Sequence, residues 1–240
     1  ELDEVIALPD GTRKYIRYSI FRVQTEDGNR IGFIARDTSE QIKAEHDAAR
    51  TLNNLKELTN LATELAELST LEDIYTRVAE KFREITGAKA CVISRYDPES
   101  NSLIVESISS ATALLQKAQS ILPSSIKNMH MKLSEEDKQR ILEEFSGKPA
   151  NLAELTFNSI PPKLGELITN SLNIGNIYAL SFQLDKELFG TMAVFQGRDD
   201  LPPTRETIKT VSYIVTMALK RKKAEQEIIR NEERFRTILE

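Results

Sequence analysis

Cysteine is nearly absent from this chain. Its 240 residues include a single cysteine, Cys91, which excludes an intrachain disulfide and any site in which several thiolates hold a metal ion. Such sparing use of cysteine is typical of the reducing cytoplasm, which is the location we expect.

A basic excess and long apolar runs are missing as well. The chain carries 32 Lys and Arg against 37 Asp and Glu, a net charge of −5. Nucleic acids and anionic membrane surfaces both attract proteins with a basic face. No run of the sequence approaches the roughly 20 apolar residues that span a bilayer. We therefore expect no nucleic-acid partner and no membrane contact in this segment.

Motifs that carry catalysis are also lacking. The nine glycines are scattered along the chain, and none belongs to a loop of the kind that cradles phosphates. Paired carboxylates, nucleophile–histidine arrangements and metal-ligand spacings do not stand out. These absences favour a binding or regulatory chain with no catalytic residue, no metal site and no evident cofactor.

The first forty residues have the composition of short β-strands separated by turns. Aromatic and β-branched side chains are frequent in residues 14–23, and Asp10-Gly11 and Asp27-Gly28 are pairs typical of tight hairpin turns. Three such strands cannot bury enough surface to be stable alone. We interpret them as the end of a larger domain or as strands that pack on another element.

The hydrophobic period becomes helical after Thr38. Thr38 and Gln41 form a capping box, which indicates a helix start, and no Pro or Gly occurs before a second capping box at Ser69 and Glu72. Leucine recurs every three or four residues, at Leu52, Leu55, Leu58, Leu61, Leu65 and Leu68. The spacing predicts one linker helix over residues 41–68. Its leucine stripe packs either on its own domain or, as we expect, on a second copy in a parallel homodimer.

Helices and strands alternate beyond the second capping box. The next helix is predicted to end at Gly87, because glycine is favoured after helix C-termini. Further helices are predicted over residues 111–122, before Pro123, then from Ser134 to Gly147, after Pro162 and after Pro203, and strands over residues 90–97, 102–109, 126–133, 177–184 and 189–196. The last two strands are almost continuously apolar, which is typical of a sheet covered on both faces.

The sequence from Asp10 to Glu45 resembles the last three strands of a PAS domain. The order of turns, strands and exit motif carries the resemblance, and the motif reads Asp37-Thr38-Ser39-Glu40, with threonine in place of the usual apolar residue. The resemblance implies that residues 1–40 are the C-terminal part of a PAS domain and residues 41–68 a signalling linker.

Residues 58–220 are similar to a GAF domain. The similarity lies in the order of a first helix, the hairpin of residues 87–109, a variable helical middle, the hairpin of residues 176–196 and a last helix. It implies an α+β fold in which a GAF-type antiparallel sheet of about six strands has helices on both faces. The first and last helices are expected to pack on one face. The middle segment is expected to enclose a small-molecule pocket on the other.

The final stretch, residues 221–240, resembles at its end the opening helix of another PAS domain. It is interpreted as an exit helix that leads into a following domain. PAS–GAF–PAS arrays are typical of sensor histidine kinases of two-component systems, so the resemblance implies adjacent PAS and kinase domains as partners. The expected function is a sensory module that binds an unknown small molecule or relays a conformational signal through dimeric helices.

Four polar residues are the candidate ligand contacts. Ser181, Gln183 and Thr191 interrupt two otherwise apolar strands, and His130 lies on the polar side of an alternating one. We expect the pocket between the sheet and residues 121–173, where the chain is least regular.

Two alternatives stay open. The domain could dimerise without binding a ligand, or it could act as a redox or chromophore sensor through Cys91 or His130. Bilin-binding GAF domains attach their chromophore through a cysteine in the middle segment, where this sequence has none. Core packing is expected for Cys91, and His46 is interpreted as a solvated linker histidine rather than a phosphoacceptor.

Overall fold

Two compact units make up the chain, Glu1–Lys56 and Glu57–Glu240. The computed structural model describes residues 2–9, 12–25, 28–122 and 125–239. The predicted turn residues Asp10, Gly11 and Asp27, together with Pro123, lie outside these ranges.

Three antiparallel strands make the sheet of the first unit. They are β1 (Leu2–Ala7), β2 (Arg13–Thr25) and β3 (Gly28–Asp37), paired in the order β1-β2-β3, which confirms the predicted meander. Ile20 and Phe33 lie directly opposite each other on β2 and β3 and are 60% and 70% exposed. Among the residues described, these strands therefore enclose no core of their own.

One uninterrupted helix, α1 (Ser39–Glu67), follows β3 and confirms the prediction of a continuous helix in this segment. Its start is fixed to the sheet, since the Thr38 hydroxyl donates to the Tyr15 carbonyl at 3.1 Å and Ser39 Oγ accepts the Tyr15 N–H at 2.9 Å. The predicted capping box of Thr38 and Gln41 was wrong. The Thr38 hydroxyl bonds to the strand, and the Gln41 amide donates to a glutamate one turn further along α1.

Helix α2 (Leu71–Thr86) has its cap one residue later than predicted. Thr70, not Ser69, accepts the Asp73 N–H at 3.0 Å, because Thr70 has the extended backbone that an N-cap residue requires. The predicted C-terminal end is confirmed, as Gly87 adopts a left-handed φ of 65°.

Six antiparallel strands make the sheet of the second unit, in the order β6-β5-β4-β9-β8-β7. They are β4 (Ala90–Asp97), β5 (Ser102–Ser110), β6 (His130–Lys132), β7 (Ser146–Pro149), β8 (Asn176–Leu184) and β9 (Glu187–Gln196). The central pair joins β4 to β9, two strands far apart in sequence. This sheet and its helices confirm the predicted α+β class.

The two edge strands differ from the prediction. The strand predicted over residues 126–133 is reduced to β6, because Asn128 takes a left-handed φ of 65° just before it. The helix predicted to reach Gly147 ends sooner, since the chain enters β7 and pairs with β8. The short sequence of β7 carries no apolar alternation that could have signalled a strand.

Helices cover both faces of the second sheet. On one face lie α3 (Thr112–Ile121), α4 (Glu135–Glu144), α5 (Leu152–Leu155) and α6 (Pro162–Ser171). The other face carries the C-terminal part of α1, then α2 and α7 (Arg205–Leu239). No helix in the described part of the chain is long and apolar enough to cross a membrane.

The leucine stripe of α1 is divided between core and surface. Leu58, Leu61 and Leu65 are buried with α2, α7 and the sheet in a core that we call the helix-side core. Leu52 and Leu55 are 68% and 52% exposed. From Leu58 onward the stripe is internal packing of one chain, so these three leucines do not form the dimer seam that the sequence led us to expect.

Candidate functional site

Strands of the second sheet present alternate residues to two different environments. On β4, Cys91 and Ile93 belong to the helix-side core, whereas Val92 and Ser94 line a cavity on the opposite face. On β9, Val194 belongs to the helix-side core, and its two chain neighbours line the cavity. The same strands therefore form a wall of the cavity and the surface on which α1, α2 and α7 pack.

The cavity lies between this sheet and the helices α3, α5 and α6, with a volume of about 110 Å³. Its covering segment begins with α3, before the start at residue 121 that the sequence predicted. Most of its lining is aliphatic or aromatic, and it includes Val105, Ile108, Leu114, Leu115, Ala118, Leu122, Ile126, Met129, Met131, Phe145, Leu152, Leu155, Ile160, Ile168, Leu172, Ile174, Ala193 and Phe195. No charged residue occurs among the described residues that line it.

Five hydroxyl side chains also line the cavity, and three of them already have protein partners. Thr156 Oγ1 donates to the Leu152 carbonyl at 2.9 Å, and Thr169 Oγ1 donates to a carbonyl one turn earlier in α6 at 3.1 Å. Ser110 Oγ donates to the neighbouring Ala111 carbonyl at 3.3 Å. These bonds use the single O–H donor of each hydroxyl, so toward a guest these three oxygens can only accept a hydrogen bond.

Ser94 and Thr191 are the other two hydroxyls. They lie directly opposite each other on β4 and β9, so their side chains project from the same face of the sheet. They are 4% and 7% exposed. Within the described ranges, neither hydroxyl makes a hydrogen bond to another protein group. Neither oxygen is completely buried by the surrounding protein atoms. Two adjacent hydroxyls thus face the cavity.

Two of the predicted site residues have a structural task instead. The Ser181 hydroxyl donates to the Phe145 carbonyl at 3.2 Å, and the Gln183 amide donates to the Leu142 carbonyl at 2.7 Å. These bonds hold the C-terminal end of α4 against β8. Neither Ser181 nor Gln183 lines the cavity.

His130 also lies away from the cavity. It is exposed on the edge strand β6 opposite Ile104, and its chain neighbours Met129 and Met131 line the cavity. Of the four residues named from the sequence, Thr191 alone borders the cavity. Sequence reasoning missed Ser94, which also interrupts an apolar strand, because its place opposite Thr191 depends on strand pairing.

Cys91 lies on the other side of the sheet, in the helix-side core, and is fully buried as expected. Burial raises the pKa of its thiol well above the usual range, with a small opposing effect of Arg83. His46 is exposed on α1. Among the residues whose positions are described, no three His, Cys, Asp or Glu side chains cluster as metal ligands do.

Polar contacts join the helices on the side opposite the cavity. Lys81 of α2 pairs with Glu57 of α1, and Arg77 pairs with Glu64, whose pKa is lowered mainly by that hydrogen bond. Arg221 of α7 bonds to backbone carbonyls of α1.

Known proteins resemble this chain in structure rather than in sequence. No protein-family model and no curated protein matches the sequence. The chromophore-binding domain of the bacteriophytochrome RpBphP3 from R. palustris is 13% identical, with a TM-score of 0.52 over 95% of this chain and 75% of that one. A longer structure of the same bacteriophytochrome is 15% identical, with a TM-score of 0.55 over 98% of this chain and 48% of that one.

A GAF domain from an Acinetobacter phosphoenolpyruvate-protein phosphotransferase is 14% identical, with a TM-score of 0.49 over 71% of this chain and 94% of that one. The fold of this chain resembles that of the bacteriophytochrome chromophore-binding domain. At these identities the likeness establishes the fold, and the chemistry has to be argued from the residues themselves.

Proposed function

We propose that this chain is a regulatory module of a sensor histidine kinase, without catalysis of its own. Its second unit binds a small molecule in the cavity and passes the effect outward through α1 and α7. The observation that carries the proposal is the alternation on β4 and β9, where one residue lines the cavity and the next packs under those helices.

A path from the cavity to α7 runs through the end of β9. Phe195 lines the cavity, and the next residue, Gln196, is fully buried. The Gln196 amide donates to the Leu201 carbonyl at 3.0 Å, in the loop that precedes α7, and more weakly to the Thr86 carbonyl at 3.5 Å. A guest that displaces Phe195 therefore also displaces Gln196, whose hydrogen bond holds the loop that precedes α7. In this mechanism the guest shifts the populations of two helix arrangements by binding one of them more tightly.

A chromophore or redox sensor built on Cys91 or His130 is less well supported. The resembling bacteriophytochrome domain is chromophore-binding, but Cys91 lies on the opposite side of this sheet from the cavity, and His130 does not line it. The volume of about 110 Å³ is also below the ~300–1,000 Å³ usual for drug-sized ligands. These features favour a small guest held without a covalent bond.

Assembly as a parallel homodimer is part of the proposal. Exposed apolar side chains on α1 and α7 support it, namely Leu52, Leu55, Tyr213, Met217, Ile228 and Ile229. Apolar positions that repeat along exposed helices favour burial against a second copy. A change in the arrangement of paired helices can also be transmitted to neighbouring PAS and kinase domains. A module that only dimerises, with no guest, is the alternative.

Filling the cavity by mutation tests the sensor function without a known ligand. Ala118 lines the cavity from α3, whereas Ala113 is exposed on the same helix. Ala118→Leu is expected to occupy cavity space and to change hydrogen exchange in α7 over residues 205–219. The matched control Ala113→Leu is expected to leave α7 unchanged. An α7 that responds to neither substitution contradicts the sensor proposal and favours the module that only dimerises.

A further inference from the structure

The size of the cavity limits what it admits. Its volume is about 110 Å³, whereas an engineered apolar protein cavity of ~150 Å³ binds benzene or xenon. Met129 and Met131 line it, and the flexible methionine side chain adapts its shape more readily than branched residues do. A guest with a single small ring is therefore near the upper limit, and a nucleotide or a tetrapyrrole is far above it.

The lining also limits the charge of the guest. No charged side chain occurs in the described lining, and an ionised group buried without a partner is strongly disfavoured. The guest must therefore be uncharged and mostly apolar.

The hydroxyls of Ser94 and Thr191 add one polar requirement. Both residues are more than nine-tenths buried, lie side by side on β4 and β9, and have no protein partner within the described ranges. Their oxygens do not belong to the buried, unpartnered side-chain atoms of the described residues, so they stay accessible from the cavity that both residues line, and each hydroxyl can both donate and accept a hydrogen bond. One oxygen atom on the guest satisfies the pair, whether it is a hydroxyl or a carbonyl.

We propose that the cavity is a site for small, uncharged, largely apolar molecules that carry one hydrogen-bonding oxygen, such as phenols, short alcohols or ketones. Ser94 and Thr191 bind that oxygen, and the aliphatic lining holds the rest. This ligand class rests on the proposed sensor function, since it names the guest of the same cavity.

Phenol and benzene form a matched pair of probes, because they differ by one hydroxyl. Methyl NMR of the four methionines reports binding directly, as Met129 and Met131 line the cavity while Met217 is exposed on α7. Phenol is expected to shift the Met129 and Met131 methyl signals and to bind about tenfold more tightly than benzene, the advantage of one satisfied hydrogen bond.

Conservative variants test which hydroxyls cause the preference for phenol over benzene. Ser94→Ala and Thr191→Val are expected to abolish the preference for phenol while keeping the binding of benzene. Thr169→Val is the control, because the Thr169 hydroxyl lines the same cavity but bonds within α6, and it is expected to keep the preference. The methyl spectrum of each variant also shows that it is folded.

Equal affinity for phenol and benzene, or no shift with either, overturns the proposed ligand class. So does a preference for phenol that survives both Ser94→Ala and Thr191→Val. The sensor function is tested separately, by the Met217 signal and by hydrogen exchange in α7. If phenol shifts the Met129 and Met131 signals while the Met217 signal stays unchanged, the ligand class is supported and signal transmission to α7 is contradicted. If phenol does not bind but Ala118→Leu changes hydrogen exchange in α7, signal transmission to α7 is still supported.

Discussion

Arg221 of α7 caps the end of α1 by donating from Nη2 to the Leu65 carbonyl at 3.0 Å. The same nitrogen also donates to the Ala66 carbonyl at 2.9 Å. The last carbonyls of a helix have no partner within the helix, and a positive charge there also suits the helix dipole. One side chain thus joins the last turn of α1 to α7 within the second unit.

Arg221→Ala is expected to lower the free energy of unfolding by about 1 kcal/mol. Charged hydrogen bonds contribute more than this when buried, but the Arg221 side chain is 42% exposed and solvent weakens the effect. Arg221→Lys is expected to lose less, since it keeps the charge but not the fork geometry. Urea unfolding of both variants measures this, and equal stability of Arg221→Ala and wild type contradicts the capping role.

Gly190→Ala is expected to destabilise the second unit by about 2 kcal/mol. A Cβ at Gly190 collides with the Ser94 carbonyl oxygen, so β4 and β9 have to move apart beside the cavity. Gly87→Ala is the control, as a Cβ there meets nothing within 4 Å and its cost of about 1 kcal/mol comes from the left-handed backbone alone. Thermal unfolding compares the two. A smaller loss for Gly190→Ala means that the strands adjust freely.

Cys91 is expected to react slowly with thiol reagents in the native protein. The residue is fully buried, and its raised pKa keeps the reactive thiolate scarce. Labelling becomes rapid in urea, where the side chain is exposed. Rapid labelling of the native protein revives the redox alternative.

Burial of Cys91 also predicts a contribution to the pH dependence of stability. The thiol has a raised pKa in the folded state, so the unfolded thiol ionises first as the pH rises past its ordinary value of 9.0. The unfolded state then binds fewer protons than the native state, and stability falls. The stability advantage of wild type over Cys91→Ala is therefore expected to shrink between pH 7 and pH 10. Urea unfolding at both values measures the gap, and a gap that stays constant contradicts the prediction.

Leu52→Glu is expected to weaken the proposed dimer without unfolding the chain, because Leu52 is 68% exposed. Asn53→Glu places the same charge on the next residue of α1, which is also exposed, and serves as the control. Leu58→Glu is unsuitable, since Leu58 is only 3% exposed within its own chain and a buried charge disrupts folding. Sedimentation equilibrium at micromolar concentration separates the outcomes. A monomeric wild type means that no such dimer forms.

Local features of this protein were predictable from the sequence because neighbouring residues encode them. The continuity of α1 follows from the absence of Pro and Gly. The end of α2 at Gly87, with its left-handed backbone, depends on only a few adjacent residues. The apolar runs of β8 and β9 likewise indicated a sheet covered on both faces.

Tertiary structure decided which distant parts of the chain pair and pack with each other. The placement of Ser94 opposite Thr191 depends on the register of β4 with β9, and a shift by one residue would turn the other set of side chains toward the cavity. The pairing of β7 depends on β8, and the burial of Leu58 depends on α2 and α7. The spacing of apolar residues predicts that a residue lies on the apolar face of a helix or in a strand. Only the packed fold determines which partner covers it, because that choice depends on burial and pairing summed over the whole unit.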